Sequence, residues 1–264
     1  MGQVANTAQD IHFTCHGGTP NSLCVANEMG AAVMQYEGRA FVSRPEEYGG
    51  GAELMLGTES FSGRGSKVWA KYLASAVIPA TRIDVRGSTP QEFLDSLSNQ
   101  VQLESLEVKY GSYSELTPLA GLSNLTSLRL RGATKVLDIG PLASLPHIED
   151  LLIDRAFLVR DLSPLGALTT LRGLTYGNDY PGSDKSVEIE SFGWARTLKR
   201  LEVLRFPGTR ILETDFSVLL KLPNLRDLSL PLRRSYRKQV FSLAERSEAF
   251  ASLAKAYVSY EAMR

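Results

Sequence analysis

The sequence predicts an α/β solenoid with a parallel β-sheet on its concave face, a β-rich N-terminal cap and a C-terminal capping helix. Three observations predict it. First, Leu103-Glu-Ser-Leu106-Glu-Val108, Leu125-Thr-Ser-Leu128-Arg-Leu130 and Ile148-Glu-Asp-Leu151-Leu-Ile153 superpose, with first residues spaced 22 and 23 apart, and Leu171 follows after a further 23. A fixed period in this range is the mark of stacked coils. Second, the last two apolar residues of each segment are two apart, which puts them on one face of a strand. Third, each segment is followed by Pro-Leu-x-x-Leu: Pro118 to Leu122, Pro141 to Leu145 and Pro164 to Leu168. Leucines three apart suit a tight helical turn, and proline, lacking an N–H, fits the start of that turn.

One such unit cannot bury its leucines alone. Stacking buries them against the next coil, at roughly 1.5–3 kcal/mol per fully buried leucine. The recurring units resemble leucine-rich repeats of the short, internalin-like kind. The resemblance implies a strand on the concave side and a tight turn on the other. The family's usual Asn or Cys at position 9 is replaced here by Gly111, Ala133, Ala156 and Thr209. Small residues still fit a crowded turn, but no asparagine ladder can form.

The elements follow in order. Residues 1–75 do not repeat and are assigned to the cap. Asp10 to Cys15, Leu23 to Val25, Ala32 to Tyr36, Ala40 to Val42 and Glu53 to Leu56 read as strands, with Glu37-Gly38 as a hairpin turn. Ser66 to Ala74 reads as a helix carrying Val68, Trp69, Tyr72 and Leu73 on one side. The solenoid is assigned to 76–232. Ile83-Asp-Val85 precedes Leu106-Glu-Val108 by 23 residues and reads as a degenerate first repeat, with Phe93 and Leu97 in its back half. After Leu174-Thr-Tyr176 the next match, Leu201, comes 30 residues after Leu171. The extra residues lie in Gly177 to Lys185, rich in turn formers, and predict an outward loop. Leu225 to Leu230 is the last repeat strand. Residues 233–264 carry Val240, Leu243, Ala244, Phe250, Leu253, Ala254 and Tyr257 at helical spacing, which predicts one helix closing the open end.

Composition narrows the function. Lys plus Arg equals Asp plus Glu, 29 each, so there is no global basic field for nucleic acid. No apolar run reaches membrane-spanning length, and no secretory leader is legible. Two cysteines are too few for a disulfide framework, so the chain reads as reduced and cytoplasmic. A nucleic-acid or membrane partner is therefore not expected.

The outward strand positions form the candidate surface. They include Arg82, Asp84, Arg86, Glu107, Lys109, Arg129, Arg131, Asp150, Leu152, Asp154 and Arg205, with Asn178, Asp179 and Tyr180 on the insertion loop. Their mixed charges can pair between neighbouring strands, or meet a protein partner, where arginine is enriched at hot spots. His12, Cys15, His16 and Cys24 are zinc-type ligands, but on a strand His12 and His16 share a face that excludes Cys15. Neither that spacing nor Cys15 beside His16 enforces a site, so no metal, cofactor or catalytic residue is expected. Gly63-Arg-Gly65-Ser66-Lys67 lacks full phosphate-loop spacing and reads as a helix entry. Arg233, Arg234, Arg237 and Lys238 form a local basic cluster.

The expected function is non-catalytic binding of another protein, in the specific form of a bacterial immunity-type protein that covers a toxin. The alternatives are an enzyme with its chemistry in residues 10–75 and the repeats as a recognition arm, and a host-directed effector.

Overall fold

The computed structural model describes residues 22–26, 32–36, 39–180 and 183–263. The Asp10 to Cys15 strand, the Glu37-Gly38 turn and His12, Cys15 and His16 fall outside them. Near the N-terminus, β1 (Ser22–Ala26), β2 (Ala32–Tyr36) and β3 (Arg39–Ala40) form an antiparallel sheet, with Cys24 opposite Met34 and Tyr36 opposite Arg39.

An eight-stranded, all-parallel sheet dominates the rest. Its strands are β4 (Glu53–Leu56), β5 (Arg82–Thr89), β6 (Ser105–Gly111), β7 (Ser127–Leu130), β8 (Asp150–Asp154), β9 (Gly173–Gly177), β11 (Val203–Arg205) and β13 (Asp227–Ser229). A second, two-stranded parallel sheet pairs β10 (Val187–Ile189) with β12 (Thr209–Ile211). In the main sheet one apolar row runs straight across: Leu54, Ile83, Leu106, Leu128, Leu151, Leu174, Leu204 and Leu228 sit side by side in register. All are buried. The expected alignment of Leu106, Leu128 and Leu151 on adjacent parallel strands is therefore observed.

From β6 onward the back of each coil is a short 3-10 turn. Thr117–Leu119, Gly140–Ser144 and Ser163–Ala167 each carry their proline in the first turn, as the motif predicts. Side chains tie successive coils together where the asparagine ladder is missing. The Asn124 amide donates to Val101 O at 3.0 Å, the Thr170 hydroxyl to Ile148 O at 2.7 Å and the Asn224 amide to Lys199 O at 2.7 Å. At position 9, Ala133 and Ala156 are buried, and the Ala133 N–H donates to Asp154 O at 2.8 Å.

The sheet extends one strand further upstream than residue 76. β4 pairs in parallel with β5, Leu54 beside Ile83. Their crossover is α1 (Gly65–Ser75), whose Trp69 and Leu73 are fully buried in the same core. The spacing from Leu54 to Ile83 is 29, not 23, because an α-helix replaces the compact 3-10 turn. That longer coil hides the period. Gly65 opens the helix because a Cβ there would overlap the Ser60 carbonyl. The Gly63 to Lys67 stretch is thus a tight helix entry. α2 (Gln91–Ser96) follows β5 and buries Phe93. The buried Gln100 amide donates to Leu73 O and Ala76 O and accepts from Ile78 N, locking this first coil.

The C-terminal cover is two helices where one was expected: α3 (Arg234–Ala244) and α4 (Glu248–Ala262). The apolar spacing survives the break, because Val240 and Leu243 on α3 and Phe250, Leu253 and Tyr257 on α4 are all buried. Two antiparallel helices, rather than one long one, let both apolar stripes close the end of the core. The basic cluster is partly absorbed in this joint. Arg233 donates to Thr209 O and Ser186 Oγ, and Arg237 pairs with Glu261 at 2.7 Å while lying over the Phe241 ring.

Candidate functional site

Parallel in-register pairing sorts the outward residues into rows across the concave face. One row reads Asp84, Glu107, Arg129, Leu152, Thr175, Arg205 and Ser229. Most of the charges on this face neutralise a neighbour. Arg86 bridges Asp84 at 2.7 Å and Glu107 at 3.3 Å, and Arg131 reaches the same Glu107 at 2.7 Å. Arg129 pairs with Asp150 at 2.8 Å, and Arg205 with Asp227. Adjacent parallel strands stand ~4.8 Å apart, close enough for long side chains to meet.

Two of the expected contact residues are not presented to a partner. Asp84 is only 2% exposed, because the Arg86 side chain folds over it. Asn178 is 6% exposed and organises its own loop. Its amide donates to Ser183 Oγ at 2.9 Å and Lys185 O at 2.6 Å, and its oxygen accepts from Tyr180 N. Both were assigned to the surface from strand alternation and loop position, neither of which registers a neighbour's side chain closing over a group.

The same face carries a cleft of about 360 Å³ at the C-terminal ends of β6 to β9. It gathers six of the expected residues: Lys109, Arg131, Leu152, Asp154, Asp179 and Tyr180. Arg82, Arg86, Glu107, Arg129, Asp150 and Arg205 lie on the surrounding face outside its lining. The cleft exists because β9 presents the smallest outward residues of any strand, Gly173, Thr175 and Gly177, between strands bearing Leu152 and Arg205. Gly177 has no alternative, since a Cβ there would overlap the Pro207 carbonyl oxygen.

One wall is the insertion loop, and Arg155 holds it. Arg155 is the single non-glycine residue with positive φ (59°) among the described residues, a conformation that costs on the order of 1–2 kcal/mol. It is over-determined by its surroundings. Its N–H donates to Gly177 O at 2.6 Å, its Nε to Asp154 Oδ2 at 3.2 Å, and its guanidinium lies 5.2 Å from the Tyr180 ring centre. Gly132, itself at φ 72°, leaves the room, for a Cβ there would stand 2.6 Å from the guanidinium. The second Asp154 oxygen accepts from Asp179 N at 3.2 Å. Asp154 and Arg155 thus clasp the loop from both sides. Close by, burial pushes the Tyr113 hydroxyl pKa well up, and the Asp154 charge adds to the rise.

Tyr110 and Arg155 line the cleft and were missed in the sequence, whereas Thr175, Gly177 and Pro207 hold outward strand positions that the sequence shows but does not single out. One signal was there: two glycines among three outward positions, immediately before the only long insertion between repeats. Among the described residues no group of three or more His, Cys, Asp or Glu side chains could hold a metal ion, and no helix is long and apolar enough to cross a membrane.

The sheet, the in-register apolar row and the 3-10 backs decide the architecture. The fold is that of a leucine-rich-repeat protein. Among solved structures, internalin C2 of Listeria monocytogenes is similar, at 24% identity and a TM-score of 0.50 over 68% of this chain and 70% of that one. An internalin F of the same organism (17% identity, TM-score 0.38, 73% and 70%) and a leucine-rich-repeat protein of Leptospira interrogans (14%, 0.36, 68% and 54%) also match. No family model and no curated protein matches the chain.

Proposed function

We propose that this leucine-rich-repeat protein is a non-catalytic binding module that recognises another protein through the concave face, centred on the cleft. The observation that carries this reading is the state of that face: a preformed concavity with exposed aromatic walls, ringed by arginines already oriented by carboxylates. Tyr180 is 60% and Tyr110 37% exposed. Aromatic and arginine side chains held in place before binding lose little conformational entropy on contact. Curved repeat surfaces bind extended partners, which supports the assignment by analogy of fold.

The more specific form is an immunity-type protein of a bacterial cytoplasm that silences a toxin by covering its working surface. Its support is the low cysteine content and a preformed face of mixed charge. Affinity capture from cells of the source organism, with the wild-type chain beside an Arg129→Glu, Arg131→Glu, Arg205→Glu triple variant, tests both levels. A protein retained by the wild type and lost by the variant supports the binder. A toxic activity of that protein, suppressed on binding, supports the immunity form. Equal capture by both chains overturns the use of this face.

A further inference from the structure

Nearly every charge that lines the cleft is answered by a neighbour, and the two exceptions, Lys109 and Asp179, both belong to its lining. Arg131 holds Glu107 and Arg155 holds Asp154. Among the described residues, Lys109 has no ion pair, and neither has the Asp179 carboxylate, whose backbone N–H alone is bonded to Asp154. Lys109 leaves the end of β6, whereas Asp179 follows β9, so three strand spacings, about 14 Å, separate them. Between them the floor is Leu152 and Thr175, and the sides are Tyr110, Tyr180 and Pro207. An uncompensated cation, an apolar trough and an uncompensated carboxylate therefore follow one another in a fixed direction across the strands.

From the concave-face reading above, on which this step rests, we infer that the cleft takes a short segment of the partner in which a large apolar residue has an acid on one side and a base on the other. The apolar side chain fills the trough over Leu152 and Thr175. An Asp or Glu on one side meets Lys109, and a Lys or Arg on the other meets Asp179. The opposite placement, a base at Lys109 and an acid at Asp179, sets like charges together at both walls, which rejects it. The cleft size falls at the lower end of the range for well-formed binding pockets, about 300–1,000 Å³, and suits one large side chain rather than a folded element. Because the trough opens onto a face of paired charges on both sides, its occupant continues beyond it, as a peptide segment does. The clasp by Asp154 and Arg155 keeps Tyr180 standing, so the trough is present before the partner arrives.

Selection of a random-peptide display library against the full chain tests this. The expected enrichment is Trp, Phe, Tyr, Leu or Met with Asp or Glu on one side and Lys or Arg on the other. Single changes Lys109→Glu or Asp179→Lys weaken a selected peptide about fivefold or more. Selection against Lys109→Glu turns to a base on both sides of the apolar centre, and selection against Asp179→Lys to an acid on both sides. Thr175→Trp, and separately Leu152→Arg, fill or charge the trough at outward positions and abolish enrichment with the circular-dichroism spectrum unchanged. No enrichment, enrichment without opposite flanking charges, or flanking charges unmoved by either single change overturns the inference. Peptides that survive Thr175→Trp but are lost with Arg205→Glu overturn it while leaving the concave face as the binding surface. Peptides lost with none of these variants overturn both.

Discussion

The coils that carry β6 to β8 and the coil that runs from β9 to β11 share one leucine ladder but use their outer faces differently. In the first group each turn takes 22 or 23 residues, the backs are proline-led 3-10 turns, and most of the charged outward side chains are held in ion pairs. The other takes 30 residues, presents Gly173, Thr175 and Gly177, and sends out a loop that folds back over the face. Its interior changes too. Phe192, Phe206 and Phe216 take core positions and pack edge-on, with centroids 5.0 Å and 5.8 Å apart. Regular coils build a stiff, self-neutralised support. The interrupted coil opens a concavity in it, and aromatic rings fill the added interior width.

The largest expected effect tests whether that aromatic filling is as tightly packed as the leucine ladder. Leu151→Ala removes a fully buried side chain from the regular part and should cost about 2–5 kcal/mol. Phe192→Ala in the interrupted coil should cost about 3–5 kcal/mol. Urea unfolding measures both. A Phe192→Ala loss well below that of Leu151→Ala would make the interrupted coil a loosely packed appendage and break the comparison.

Next comes alkaline pH. Burial raises the Tyr176 pKa in the interrupted coil well above its usual value of 10.0. In the C-terminal cover burial raises that of Tyr257 to about 12, while its hydroxyl donates to Arg233 O at 2.8 Å. Folding favours the protonated phenols, so their contribution is complete below about pH 10. It is lost as pH climbs through about 12 for Tyr257, and higher still for Tyr176. Tyrosinate absorbance followed together with unfolding should show these two rings ionising only as structure is lost. Ionisation of both near pH 10 in the folded chain would contradict their burial.

A smaller effect sharpens the role of the clasp. Arg155→Gly removes the loop's anchor but relieves the backbone strain at φ 59°, since glycine accepts that conformation readily. Global stability should move by less than about 1 kcal/mol, while limited proteolysis at 178–185 accelerates. Unchanged proteolysis would mean that the loop is held by something other than Arg155. The smallest effect belongs to the regular face. A double-mutant cycle on Arg129 and Asp150, which are 40% and 44% exposed, should give a coupling of roughly 0.2–1 kcal/mol that shrinks with salt. A larger value would mean that the paired face stabilises the fold rather than merely presenting charge.

What was legible tracks the range of the interactions. The repeat strands, the proline-led turns and the outward loop were readable because each is written within one period and then repeated. β4 was not read into the sheet, because its crossover is a helix and its spacing to Ile83 breaks the period. The break between α3 and α4 was missed for a related reason: Val240, Leu243, Phe250 and Leu253 keep helical spacing on either side of it. Six of the fourteen residues singled out for the surface line the cleft. Asp84 and Asn178 do not face solvent, because Arg86 and the loop's own bonds cover them.

By itself the sequence determined that leucines would stack coil on coil, because a recurrence of about 23 residues places the same apolar atoms at the same point of every turn. It also determined which side chains point outward, because strand alternation is local. Only the tertiary structure decided that Gly173, Thr175 and Gly177 lie beside Leu152, that Arg155 bends to hold Tyr180, and that Lys109 and Asp179, both without an ion pair, line one cleft. Those relations join residues from three different coils, and no period along the chain encodes the distance between side chains that meet only after the coils have stacked.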